Sequence, residues 1–256
     1  MGDFYSIDLK DDVEKFNWEP IEAKGDLPGP RSKHALVGTK NSIYLIGGLY
    51  TDVRSSSKIY CFNPESATWT LQNPVGESLP EIDSFGCVYL EKDGDELIII
   101  VGGWDGAKAE YLNSVYEFNI TKNKVSILFE GSQEPQQGTV LCYEGTPVPR
   151  SGCTAATDGK NVFMFGGKDA ENRMNDLWEF NMVNFKFSEL EKTGDIPPER
   201  NGHTMEYFEG KLYVFGGIHD ITWELDDLHI YNLDKKKWTT LEQDSPRKIE
   251  KKREGN

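Results

Sequence analysis

Four short runs decide how this chain folds: NSIYLIGG at 41–48, DELIIIVGG at 95–103, KNVFMFGG at 160–167 and GKLYVFGG at 210–217. Each is an apolar stretch closed by a glycine pair, and the first glycines, Gly47, Gly102, Gly166 and Gly216, follow one another at 55, 64 and 50 residues. Self-similarity at such a period marks a repeat architecture. Downstream of each pair comes an aromatic, alternating run, KIYCFN, SVYEFN, DLWEFN or DLHIYN, closed by Asn63, Asn119, Asn181 and Asn232. Six residues beyond each of these stands a bulky apolar residue: Trp69, Val125, Phe187 and Trp238. Upstream, three repeats carry GPRSKH at 29–34, VPRSGC at 148–153 and PERNGH at 198–203. The remaining repeat offers PEIDSFG at 80–86, with Asp83 read at the place of Arg31, Arg150 and Arg200.

Between the first strand of each unit and its glycine pair lie KN, DG, DG and EG, dipeptides suited to tight antiparallel hairpins. Each unit therefore reads as a four-stranded meander: strand one after the Arg motif, strand two ending in Gly-Gly, strand three aromatic, strand four beginning near the Trp position. A small twisted sheet cannot bury both faces alone, so successive sheets stack around an axis. Taken together, the glycine pair, the aromatic run and the Trp at fixed distance resemble the kelch repeat. The resemblance implies an all-β, kelch-type β-propeller over residues 1–243, with glycine letting backbones approach and Trp filling the contact between blades.

DFYSID at 3–8 and Trp18 read as strands three and four of a further blade, so the expected layout is a half blade at 1–20 and blades at 21–73, 74–130, 131–191 and 192–243. Four full blades plus a leading half favour an incomplete or open ring, or strands shared with another chain in a homo-oligomer, over a closed four-bladed ring holding residues as large as Trp178 and Phe165. The segment at 126–147 is the longest interruption of the period, read as an extended excursion. EKDGDE at 91–96 reads as a solvated turn. Residues 244–256 form a basic, flexible tail, with five basic and two acidic side chains from Pro246 onward.

The 256 residues hold 28 Lys and Arg against 43 Asp and Glu, a formal net charge of −15, which disfavours general binding to a phosphate backbone. No run approaches the length of a membrane span, and the N-terminus reads as neither signal nor anchor. The expected setting is cytoplasmic, without nucleic acid or membrane as partner. Cys61, Cys87, Cys142 and Cys153 show no CxxC spacing and read as free thiols.

Loops at one end of a propeller are released from packing, and binding sites collect there. In kelch proteins the loops between strands two and three, with those leading into strand one, commonly form the partner face. Here they supply Tyr50, Arg54, Trp104, Asp105, Arg173, His219 and Trp223, and the resemblance places Arg31, Arg150 and Arg200 nearby. Arg, Trp and Tyr dominate binding hot spots. The three arginines and the pair His34 and His203 recur in the repeat, however, and a recurring residue also reads as one that holds the fold; Trp104 and Trp223 also read as local packing. Catalytic signatures such as GxSxG, HExxH and phosphate loops are missing, as are the copper-radical and iron ligand sets of kelch-fold enzymes. No cofactor or metal is expected. The reading is a non-catalytic scaffold or adaptor presenting propeller loops to a protein partner, with a metal-dependent oxidase or specifier protein as the alternative.

Overall fold

A computed structural model describes residues 4–7, 17–50, 54–131 and 145–241. The described elements are all strands. The first sheet is built from Ala35–Gly38, Ile43–Ile46, Ile59–Asn63 and Thr68–Gln72. The second has Gly86–Lys92, Asp95–Asp105, Glu110–Asn119 and Lys124–Phe129. Thr154–Thr157, Asn161–Phe165, Leu177–Asn181 and Lys186–Glu189 form the third. Thr204–Phe208, Lys211–Asp220, Trp223–Asn232 and Lys237–Thr240 form the fourth. Each is an antiparallel meander in chain order, and the sheets stack as blades of an all-β propeller.

Stacking on both faces explains why the glycine-pair runs are apolar throughout. Side chains alternate across a strand. In the third sheet Val162 and Met164 join the core shared with the second, while Phe163 and Phe165 join the core shared with the fourth. The register repeats as the spacing demands: Phe62 opposes Trp69, Phe118 opposes Val125, Phe180 opposes Phe187 and Tyr231 opposes Trp238. Tyr5–Ile7 and Trp18–Pro20 pair in the same way, with Ile7 opposite Trp18, and Phe4 lies on Phe62 and Trp69 at ring distances of 4.8 and 5.4 Å. Trp69 and Trp238 are buried against the preceding element, whereas Trp18, with none described before it, is 66% exposed.

A backbone seam ties successive units together. Ser84 N–H donates to Lys33 O at 3.0 Å, Gly152 N–H to Ser84 O at 2.6 Å and Gly202 N–H to Gly152 O at 2.9 Å. All four residues have left-handed φ, at 56°, 54°, 67° and 65° in chain order. This seam corrects one alignment. Lys33, Gly152 and Gly202 stand two residues after their arginines, and two residues before Ser84 is Ile82, not Asp83. The neighbouring glycine pairs agree: Gly48 N–H donates to Ile82 O as Gly103 N–H does to Arg150 O and Gly167 N–H to Arg200 O. The second sheet thus carries a fully buried isoleucine at the arginine position.

A further repeat shows only in the structure. Lys24–Gly25 and Val75–Gly76 each run parallel to the outermost strand of their sheet, and Gly194 makes the corresponding bridge to Trp238. Gly25, Gly76 and Gly194 have φ of 88°, 92° and 82°, and a Cβ on any of them would fall 2.2–2.3 Å from a carbonyl oxygen of Trp69, Val125 or Trp238. Only glycine fits there.

Among the described residues no strand pairing joins the first sheet to the fourth. Among the described residues nothing covers the outer face of the fourth sheet, and the outer face of the first is covered only in part, by Phe4, Ile21 and Ala23. Phe165 is 0% exposed, while Phe215, at the same position of the last sheet, is 51% exposed. At the other end a cavity of about 910 Å³ opens over Phe4, Leu36, Leu45 and Trp69. Residues 132–144 of the expected excursion, Cys142, and all of the basic tail lie outside the described residues. Cys61, Cys87 and Cys153 are free thiols.

Candidate functional site

The segments that follow the glycine pairs take two forms. In the second and fourth sheets the strands continue past the pair as long hairpins, with register shifts at Val101/Gly103 and Phe215/Gly217, so WDGAKAEYLN and IHDITWELD are arms rather than loops. In the first sheet Leu49–Tyr50 turns aside to pair with Arg31–Ser32, and in the third Lys168 bridges Ser151 and Arg173. Glycine at positive φ permits the bend that separates the packed strand from the projecting segment.

On these projections the expected residues separate into outward and inward groups. Arg54 is exposed. Trp223 is 60% exposed near its hairpin tip, with the His219 ring edge-on at 5.1 Å, and His219 Nδ1 lies 2.7 Å from Glu199 O. Arg173 is half-buried and donates from Nε to Asn201 Oδ1 at 2.9 Å. Trp104 is half-buried against Tyr111 with a ring separation of 4.8 Å, and Tyr50 is half-buried beside Arg31. Asp105 turns inward: its buried carboxylate accepts from the N–H groups of Ala107 and Lys108, fixing the hairpin turn.

Arg150 and Arg200 are 0% exposed, which corrects their assignment to the partner face. Arg150 donates from Nε to Val148 O, from Nη1 to Gly166 O at 3.1 Å, and in a bidentate pair to Asp176, with Nη2–Oδ2 at 2.8 Å. Arg200 repeats this with Pro198 O, Gly216 O at 2.9 Å and Asp227 at 2.7 and 2.8 Å. The guanidinium satisfies a glycine carbonyl left unpaired where the strand bends, and the carboxylate balances its charge. Burial works to raise the Asp176 and Asp227 carboxyls, but hydrogen bonds and charge from Arg150 and Arg200 outweigh it and hold both below the usual range. Asp105, Arg150 and Arg200 are therefore structural, Arg54 and Trp223 face water, and His219, Arg173, Trp104 and Tyr50 are half-buried.

Arg31 is different. Its Nε donates to Gly29 O at 3.1 Å and its Nη1 to Gly47 O at 2.8 Å, as in the other two, but its Nη2 goes to the Tyr50 hydroxyl at 2.7 Å. The guanidinium lies 4.5 Å from the Tyr50 ring centre and 5.2 Å from that of Tyr60. No sequence argument singled out Asp176 and Asp227, although each opens its aromatic run where the first repeat has Lys58 and the second Ser114. Among the described residues no group of three or more His, Cys, Asp and Glu is placed to hold a metal ion, and no helix is long and apolar enough to cross a membrane.

With this geometry in hand, comparison with known proteins is direct. The chain is 26% identical over 245 residues to a leucine-zipper-like transcriptional regulator 1 homolog of Drosophila melanogaster, covering 90% of this chain and 23% of that protein. It is 24% identical over 269 residues to human host cell factor 2, covering 93% and 33%. With kelch domain-containing protein 2 of Bos taurus it shares 27% over 247 residues, covering 88% and 58%. The chain thus spans less than two thirds of each of these relatives. The family model for the KLHDC2/KLHL20/DRC7 kelch-repeats domain matches residues 1–142 and 95–255, and the chain belongs to the kelch-repeat family.

Proposed function

We propose that this chain is a non-catalytic interaction scaffold or adaptor that grips a protein partner with the segments projecting beyond its glycine pairs, in the cytoplasm. One observation carries the reading: a 60%-exposed Trp223 stands at a hairpin tip, on the same kind of projection that presents Arg54, Arg173 and Trp104 in the other sheets. A solvent-facing indole costs solubility unless something covers it, and Trp and Arg supply a disproportionate share of interface energy. The kelch family commonly serves protein interaction, which agrees with that use.

A triple variant, Trp104→Ala with Arg173→Ala and Trp223→Ala, tests the face in affinity capture. Loss of partners, with the melting temperature kept near that of the parent, supports it. Unchanged partners remove this face from consideration. Metal analysis of the purified protein tests the non-catalytic part, since stoichiometric copper or iron would reverse it.

A further inference from the structure

The arginine position occurs four times, and its partner position four times, in three chemical versions. The third and fourth sheets hold Arg150 with Asp176 and Arg200 with Asp227. The second has lost both members together, with buried Ile82 and Ser114 in their places. Replacing both members of a buried ion pair by uncharged groups is energetically tolerable, whereas removing one partner strands a charge. The first sheet shows the second situation: Arg31 is kept, and the acid is replaced by Lys58.

The backbone around Lys58 is that of an aspartate position. Gly47 N–H donates to Lys58 O at 3.1 Å as Gly166 N–H does to Asp176 O at 3.2 Å. The next residues, Ile59 and Leu177, oppose Ile46 and Phe165 in the same register. The Arg31 guanidinium is seated as in its two counterparts, on the carbonyl two residues back and on the first glycine of the pair. A guanidinium carries five N–H donors; three of them serve Gly29 O, Gly47 O and the Tyr50 hydroxyl, so the half-buried Arg31 keeps one donor on each of the two nitrogens that elsewhere hold a carboxylate, with Tyr50 beside them. His34 registers the charge: burial, and then Arg31, hold its imidazole below the usual range. Two more cations stand close in the fold, since exposed Arg54 and Lys58 line one pocket with Tyr50, Ser56 and Ser57. Glu81 lines that pocket too, and Glu22 lines the groove onto which Arg31 opens.

We propose that Arg31, with Lys58 at its partner position and Tyr50 beside it, is a carboxylate-binding position, at which an acidic side chain of a protein partner takes the role that Asp176 and Asp227 have in the other sheets. The ligand replaces an internal residue that the sequence omits, and the exposed Lys58 at that position adds a second positive charge. The choice of a protein carboxylate rests on the interaction reading above.

Arginine Nε–Hε resonances of the full chain, followed by NMR during titration with acetate, with N-acetyl-glutamate amide and with inorganic phosphate, test this directly. Arg31 should shift saturably with both carboxylates while Arg150 and Arg200, already paired, stay still. Lys58→Asp should abolish the response and move the Arg31 signal toward those of the other two. Lys58→Ala should leave Arg31 responsive but weaken binding severalfold. A non-saturating shift at Arg31, an undiminished response in Lys58→Asp, or phosphate binding tighter than either carboxylate would each overturn the assignment. Because no partner is present in these titrations, their failure leaves the loop reading standing, and failure of the loop variants leaves this position standing.

Discussion

Phe165 and Phe215 are the same residue at the same place in two neighbouring sheets, one sealed in a joint and the other half in water. Phe165 meets the His203 ring at 5.3 Å and the Trp238 ring at 5.1 Å. Phe215 keeps the partners within its own sheet, opposite Thr204 and Leu228, and has nothing described on its outer side. The pair shows that strand pairing forms each sheet, while the stacking of sheets supplies most of the burial. A blade gains its stability from its neighbour.

The contrast can be broken most sharply with truncations. Phe165→Ala should cost about 3–5 kcal/mol in urea denaturation, and Phe215→Ala less than about 1 kcal/mol, because only the first opens a cavity. Equal costs would mean that the joint contributes little. Gly194→Ala should cost about 1–3 kcal/mol, since its Cβ would collide with Trp238 O and its backbone is left-handed; an unchanged denaturation midpoint would show that the parallel lead-in is dispensable.

The joint should also respond to acid where the open face does not. Burial, with a further push from Arg200, drives the His203 pKa down to about 3. An unfolded histidine, at about 6.5, takes up its proton first, so stability contributed by neutral His203 is complete above pH 6.5. It is lost as pH falls from 6.5 toward 3, at up to about 1.4 kcal/mol per pH unit. Asp176 and Asp227, held low by their arginines, add loss of the same sign only below the ordinary carboxylate range. His203→Asn should flatten the stability curve between pH 6 and pH 5, and a slope identical to the parent's would remove the histidine from the account. The smallest effect belongs to the open face: Phe215→Glu should change stability by no more than about 0.5 kcal/mol.

The four meanders were legible because each depends on residues with few substitutes: paired glycines at the bend, an asparagine at the turn, a bulky apolar residue six positions on. Legibility failed where the structure accepts more than one residue. Ser84 adopts the left-handed φ that Gly152 and Gly202 adopt freely, so the turn in the second repeat carried no glycine and the alignment slipped by one, making Asp83 look like an arginine substitute. Asp83 instead accepts from the hydroxyls of Ser55 and Ser84. The parallel lead-ins were hidden for another reason: a single Gly followed by Asp or Glu and, two or three residues on, by Pro is too common to notice until Gly25, Gly76 and Gly194 are aligned. As to the candidate site, residue type selected the right segments but not the direction of each side chain. Arg54 and Trp223 face water, whereas Arg150 and Arg200 serve the carbonyls beneath them, and the distinguishing aspartates lie more than twenty residues away.

The chain of amide bonds from Lys33 through Ser84 and Gly152 to Gly202 has a consequence for how such molecules diverge. Because main-chain atoms hold one unit to the next along that line, this part of the joint is the same whichever side chains stand beside it. Blades can then trade a buried salt link for an isoleucine, or lose half of one, and still keep these seam bonds. New recognition chemistry can thus arise in a single unit while its neighbours keep the geometry that presents it.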